Sequence, residues 1–320
     1  MSDLERRYTR LLRLYPAAYR QARGAEMLAV LMDSTPPNRH RPPWREVGGL
    51  IVGALQVRAG AQGHRTIGHS WRVALRTAAL ILLIQAAGDA LWQIMFNPDG
   101  QSLSPVRAAV NLTIAAVCVL AIVAVVRGVY LVAAIVTAGA FVLQAAAPAI
   151  VLHFSSGFIR YLSPSWHLAF TVVLLLPLVG RGTVVAPKAL NLMLLVPVVS
   201  VVLNAYGTLT GDPSFQTGSR AVWQTLAVAA ILWSIVDERV AMTLGLAFFN
   251  VVVNHVLLRL PPVNDWSTWL ALLGDGAMWR DVAGDWSTWR WTLLDAGILA
   301  ILPILDIAVG ATVAVRRARI

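Results

Sequence analysis

VALRTAALILLIQAAGDALWQIM, residues 73–95, carries one basic residue, Arg76, and one acidic residue, Asp89, in an otherwise uncharged run. At about 1.5 Å per residue, a helix of this length crosses the roughly 30 Å hydrocarbon core of a bilayer. The run lacks the two-residue alternation of a barrel strand, so a helix is the form that satisfies its backbone in lipid. Similar runs follow at 106–126, 129–152, 166–180, 189–206, 220–236, 240–258 and 292–315. The fold class is therefore all-α: a polytopic transmembrane helix bundle of about eight spans. Pro177, Pro187 and Pro197 interrupt the pair 166–180 and 189–206. If that region is re-entrant, six crossings remain.

Composition agrees. The 320 residues are 58% hydrophobic and 13% charged, where a soluble domain carries roughly a quarter charged residues. Charge placement tests the topology, because cytosolic connections are enriched in Lys and Arg. With the N-terminus inside, twenty of the 26 basic residues fall on the cytosolic side: thirteen Arg before residue 77, then Arg127, Arg181, Lys188, Arg239, Arg316, Arg317 and Arg319. Six fall outside: Arg107, Arg160, Arg220, Arg259, Arg280 and Arg290. Both termini are thus expected in the cytosol of a multi-pass cell-membrane protein. Orientation explains most of the net charge of +10, and no DNA-reading motif accompanies it, so no direct nucleic-acid partner is expected. An anionic inner leaflet is the expected lipid partner. The charged start MSDLERRYTRLLR gives no sign of a cleaved signal peptide.

The division falls near residue 70. Residues 1–70 form a cytosolic amphipathic helical prefix, and 71–320 the bundle, with an outer Trp-rich loop at 259–291. Leu4, Tyr8, Leu11, Leu12 and Tyr15 follow the spacing of one helix face, which Ser2 or Asp3 can cap. Pro16 suits the first turn of a second helix, to about Asp33. A third is expected from Trp44 to Ala61, after the stiff linker TPPNRHRPP.

LLRLYPAAYRQARGAEMLAVLMD, residues 11–33, resembles the N-terminal helical segment of actinobacterial membrane proteins with HAAS-type or permease-prefix domains. The matching positions are Leu14, Tyr15, Pro16, Tyr19, Arg20, Gly24, Glu26 and Met27. The likeness covers residues 4–34, and Ala22 and Ala25 depart from it where polar residues are common. It implies a partner such as a PadR-type regulator or an ABC-type transporter subunit. Tyr15, Pro16, Tyr19, Arg20 and Glu26 are then the candidate docking residues. The alternative is structural: Tyr15 and Tyr19 pack across the Pro turn, and Arg20 and Glu26 tie the second helix to the first.

No phosphate loop, zinc helix or nucleophile elbow occurs, the six His residues are scattered, and Cys118 is the single cysteine. No catalytic residue, metal or cofactor is expected. Polar groups inside spans remain: Gln85 and Asp89 in the first, Asn250 and Asn254 on one face of the seventh, and Asp306 midway along the last. They are either a substrate or proton path or interhelical hydrogen bonds.

The pentapeptide DWSTW occurs at 265–269 and 285–289, within a stretch holding six of the twelve Trp. Asp265 and Asp285 each suit a helix cap, which makes Trp266, Trp269, Trp286, Trp289 and Trp291 interfacial anchors. A duplicated site for a sugar or cation is the alternative. The expected function is a non-enzymatic membrane protein whose prefix couples the bundle to a regulatory or transport partner. A transporter or channel using the polar groups comes second, and a membrane-embedded enzyme on a lipid-linked substrate third. Homo-oligomerisation stays open.

Overall fold

The computed structural model describes residues 2–36, 39, 41–59, 66–95, 105–152, 166–184, 188–210, 225–259 and 286–318. Among these residues the chain is all-helical, without strands.

Helix α1 spans Asp3–Leu12 and begins with a capping box. The Glu5 N–H donates to Ser2 Oγ and the Ser2 N–H to Glu5 Oε2, both at 3.1 Å, so two orphan donors of the first turn are satisfied reciprocally. Leu4, Tyr8 and Leu12 put one face inward. The helix stops at Leu12, and Arg13, Leu14 and Tyr15 turn back on the carbonyls of Arg10, Leu11 and Leu12. Pro16, which has no N–H to leave unpaired, takes the cap position of α2, Ala17–Ser34. Helix α3 runs from Trp44 to Arg58, after Pro43. The three helices close one small core of Leu4, Tyr8, Leu12, Tyr15, Leu50 and Ala54. Gly53 lets α3 approach the Tyr15 ring: a Cβ there would stand 2.5 Å from Tyr15 Oη.

The bundle is α4 (Ile67–Met95), α5 (Pro105–Val126), α6 (Tyr130–Leu152), α7 (Trp166–Leu175), α8 (Lys188–Asn191), α9 (Leu195–Thr210), α10 (Glu238–Arg259) and α11 (Trp286–Ala318). A 3-10 turn at Leu176–Leu178 extends α7, another at Leu192–Leu194 joins α8 to α9, and residues 225–233 are helical. Pro177 explains the first of these turns, because it cannot donate to the α-ladder. Gly128, at φ +77, makes the α5–α6 reversal, a left-handed position glycine adopts without cost.

Helix α4 is the axis, packing against α5, α7, α9, α10 and α11. Its buried residues include five alanines, Ala74, Ala78, Ala79, Ala86 and Ala90, beside Val73, Leu80, Ile81, Leu82 and Leu83. Close approach over small side chains brings the helix backbones together and adds dispersion contacts between them. Gly88 shows how close, since a Cβ there would lie 2.6 Å from Val201 Cγ2 of α9. Buried hydroxyls are satisfied within their own helices: Thr77 donates to the Val73 carbonyl, Thr137 to Ala133 and Thr171 to His167.

Two described helices are both long and apolar enough to cross a membrane, Ile67–Ile94 and Pro105–Val126. The outside of the bundle is apolar too. Leu112, Val119, Leu120 and Val123 of α5, Leu131 and Ile135 of α6, and Ile301 and Ile304 of α11 are exposed.

Candidate functional site

Several helix ends converge at one end of the bundle. Arg76 of α4 donates to the Val126 carbonyl at the end of α5 (3.5 Å), and Val184 packs in one cluster with Val73 of α4. The beginnings of α4 and α10 and the end of α11 meet in a cluster of charges. The turn after residues 225–233 folds the Val236 and Asp237 N–H groups onto the Trp233 carbonyl, and Asp237 then caps α10. Its Oδ1 accepts from the Arg239 N–H at 3.1 Å. The same carboxylate takes the Arg239 guanidinium in a two-pronged pair, Nε to Oδ1 at 2.7 Å and Nη2 to Oδ2. Both side chains are buried.

Glu238 lies between them in sequence and is equally buried. Ser70 Oγ of α4 donates to its Oε1 at 2.9 Å, and Arg317, in the last turn of α11, donates to its Oε2. Arg317 also donates to the carbonyls of Ile235 (2.7 Å) and Val236 (3.3 Å). A cation at the carboxyl end of α11 and an anion at the amino end of α10 each match the helix dipole they sit on. The Ile235 carbonyl has a second donor: Gln56 Nε2 of prefix helix α3, at 3.0 Å. One carbonyl therefore joins the prefix to the bundle.

Two carboxylates face two guanidiniums, so the cluster is neutral, and its donors and acceptors are engaged with one another. Such an arrangement holds helices in register and offers no free nucleophile or base. Among the described residues, no three His, Cys, Asp or Glu side chains come together at metal-ligand spacing. Sequence reasoning counted Arg239 and Arg317 only as cytosolic charge and passed over Ser70, Asp237 and Glu238. The available signal was three successive charged residues, DER, tightly bounded by apolar runs.

Of the prefix motif, Tyr15 is packed inward and stacks on Tyr19, with ring centroids 5.4 Å apart and planes 15° from parallel. Burial, then the neighbouring Tyr19, pushes the Tyr15 phenol up from its ordinary value. Pro16 is the α2 cap, Glu26 is exposed, and Arg20 keeps a buried Nε without a partner. Tyr8 Oη donates to Glu46 of α3 and lies 2.8 Å from Thr35 Oγ1, so one phenol connects all three prefix helices.

The polar residues of the apolar runs stand in separate places. Gln85 Nε2 donates to Asp89 Oδ1 at 2.9 Å within α4. Asn250 is buried on α10 with Oδ1 unpartnered. It lies about 140° around that helix from Gly245, at about 100° per residue. Asn254 is on the same helix. Asp306, on α11, is fully buried with neither carboxyl oxygen partnered, and its Cβ faces Gly245 of α10. Among the described residues, no hydrogen bond links the three places. Helix α11 begins at Trp286, directly after Asp285, and its first two turns carry Trp286, Trp289 and Trp291. Trp266 and Trp269 lie outside the described residues.

No family model, curated protein or solved structure matches the chain.

Proposed function

We propose that the chain is a non-enzymatic, multi-pass protein of the cell membrane, with its helical prefix and C-terminus in the cytosol. The prefix, in this reading, couples the bundle to a regulatory or transport partner. The observation that carries it is the Ile235 carbonyl, which accepts from Gln56 of the prefix and from Arg317 of the last helix. A displacement of α3 is felt at the same atom that positions α11 against α10.

The apolar exterior of α5, α6 and α11 supports lipid as the surrounding medium. Eight crossings are supported by the path between α7 and α9. Val184 packs in one cluster with Val73, while Val201 meets Gly88 fifteen residues farther along α4. The chain therefore advances about 22 Å along α4 over that interval, which favours a traverse over a re-entrant loop. Arg127, Arg181, Arg239 and Arg317 belong to the end where the prefix sits, in keeping with a cytosolic face there.

The partner class follows from the resemblance of residues 11–33 to HAAS-type and permease-prefix segments: a PadR-type regulator or an ABC-type transporter subunit. A photo-crosslinking residue at Arg23 or Ala29, both exposed on α2, tests this in cells. A protein adduct of either class is the expected result. Adducts with lipid alone would overturn the coupling reading.

A further inference from the structure

The seam between α10 and α11 is closed at two glycines on either side of one carboxyl group. A Cβ at Gly245 would stand 2.9 Å from Asp306 Cβ, 2.9 Å from the Pro303 oxygen and 2.8 Å from Ile307 Cγ1. A Cβ at Gly310 would stand 2.9 Å from the Glu238 oxygen and 2.6 Å from Met242 Cγ. The helices thus touch nearly backbone to backbone, and no water-sized space is left by side chains at these two points. Between them sits Asp306, 0% exposed, with neither oxygen hydrogen-bonded.

No charge faces it. On α11, Arg317 is eleven residues away, about 16 Å along the helix, and is committed to Glu238 and two carbonyls. Arg316 lies in the same last turn, and Arg290 and Asp295 lie toward the other end of α11. On α10, Glu238 and Arg239 belong to the neutral cluster, and His255 and Arg259 stand ten or more residues beyond Gly245. On α4, which also packs against α11, Arg72 bonds the Gly68 carbonyl, Arg76 the Val126 carbonyl, and Asp89 takes Gln85. His69 is at the far cytosolic end of α4. An ionised carboxylate with no donor and no counter-charge is the costliest thing to bury, whereas the neutral acid is accommodated.

We propose that Asp306 is a proton-binding site whose occupancy keeps α10 and α11 closed. Releasing the proton converts the carboxylic acid to carboxylate plus H⁺, and the new charge can be hydrated only if the seam parts. Gly310 rests on the Glu238 carbonyl one turn from Asp306, so parting the seam disturbs the cluster that holds Arg317 and, through Ile235, the prefix. The protein thereby gains a proton-responsive joint. This rests on the burial and packing of Asp306 and holds whatever partner the prefix has.

The test uses the full chain in nanodiscs of phosphatidylcholine and phosphatidylglycerol, with thermal unfolding followed from about pH 5 to about pH 9, the range above the ordinary carboxylate value. Asp306→Asn, a neutral isostere, is expected to match the wild type at the acid end. The wild type is then expected to lose stability as pH rises, because its folded form holds one proton more than its unfolded form. The difference approaches about tenfold in the unfolding constant per pH unit. Parallel pH profiles would overturn the proposal. Should Asp306→Asn fail to assemble, dicyclohexylcarbodiimide labelling of the wild type decides instead, since it modifies protonated carboxyls in apolar surroundings. An adduct at Asp306 that declines with rising pH supports the site. An unlabelled Asp306 beside a labelled Asp89 refutes it.

Discussion

Arg317 and Glu238, 79 residues apart in the chain, form the ion pair that fastens the end of α11 to the start of α10. Glu238 is almost fully enclosed, and the Arg317 side chain retains 28% exposure. Exposed pairs are worth under about 1 kcal/mol, while breaking a buried pair costs about 3 to 5 kcal/mol. Arg317→Ala should fall between, at about 2 to 3 kcal/mol, because Ser70 is left as the carboxylate's remaining donor. A thermal-unfolding cycle with Glu238→Gln checks this. The double variant should recover part of the loss, since the orphaned charge has gone; strict additivity would show that the pair is not coupled.

Asp237 and Arg239 are more deeply enclosed, so their pair should be the more sensitive. Asp237→Ala removes both the α10 cap and the carboxylate that pairs with a buried guanidinium. A loss of about 3 to 5 kcal/mol is expected, larger than for Arg317→Ala. Comparing the two unfolding midpoints in one lipid composition gives the order directly.

The glycines of α3 should divide by position. Gly48 and Gly49 have open space around a new Cβ, and alanine at either should stabilise the helix by about 0.5 to 1 kcal/mol. Gly53→Ala should instead drive the Tyr15 ring outward, at a cost of about 1 to 3 kcal/mol. Backbone hydrogen exchange in α3 reads both: protection rises in the first two variants and falls in the third.

Tyr8 gives the prefix an alkaline limit. Burial first, and then its hydrogen bond to Glu46, raise the phenol above its ordinary value of 10.0. A raised acid contributes stability that is complete below the unfolded value and is lost as pH climbs through the folded one. The core of α1, α2 and α3 should therefore hold to about pH 10 and loosen above it. Phenolate absorbance should rise late for Tyr8, together with loss of helical circular dichroism. Tyr8→Phe should remove one phenol from that late component and leave the Tyr15 share; an unchanged titration curve would exclude the assignment.

The helices were legible because their signals are local. Leu4, Tyr8 and Leu12 recur at helical spacing against a charged background, Ser2 and Glu5 stand where a capping box needs them, and Pro16 can only begin a helix there. The apolar runs announced the bundle helices in the same way. The charged cluster was not legible, because Ser70, Glu238 and Arg317 are brought together only by the crossing of α4, α10 and α11. Burial of Arg239 was hidden by its company, since three adjacent charges ordinarily mark a solvated turn. Asp306 was visible as a polar residue in an apolar run, but its confinement depends on Gly245, 61 positions away. Helical spacing also grouped Asn250 with the other polar residues by depth alone, and orientation around α10 separates it from Asp306.

The union of Glu238 with Arg317 also carries a timetable. A ribosome adding roughly 5 to 20 residues per second makes Arg317 about 4 to 16 seconds after Glu238. During that interval α10 exists with an acid waiting at its amino end, and Ser70, already made, is its first escort. Locking of this end of the bundle is thus a late event of synthesis, and a chain halted before residue 317 lacks the partner that fastens α11 to α10.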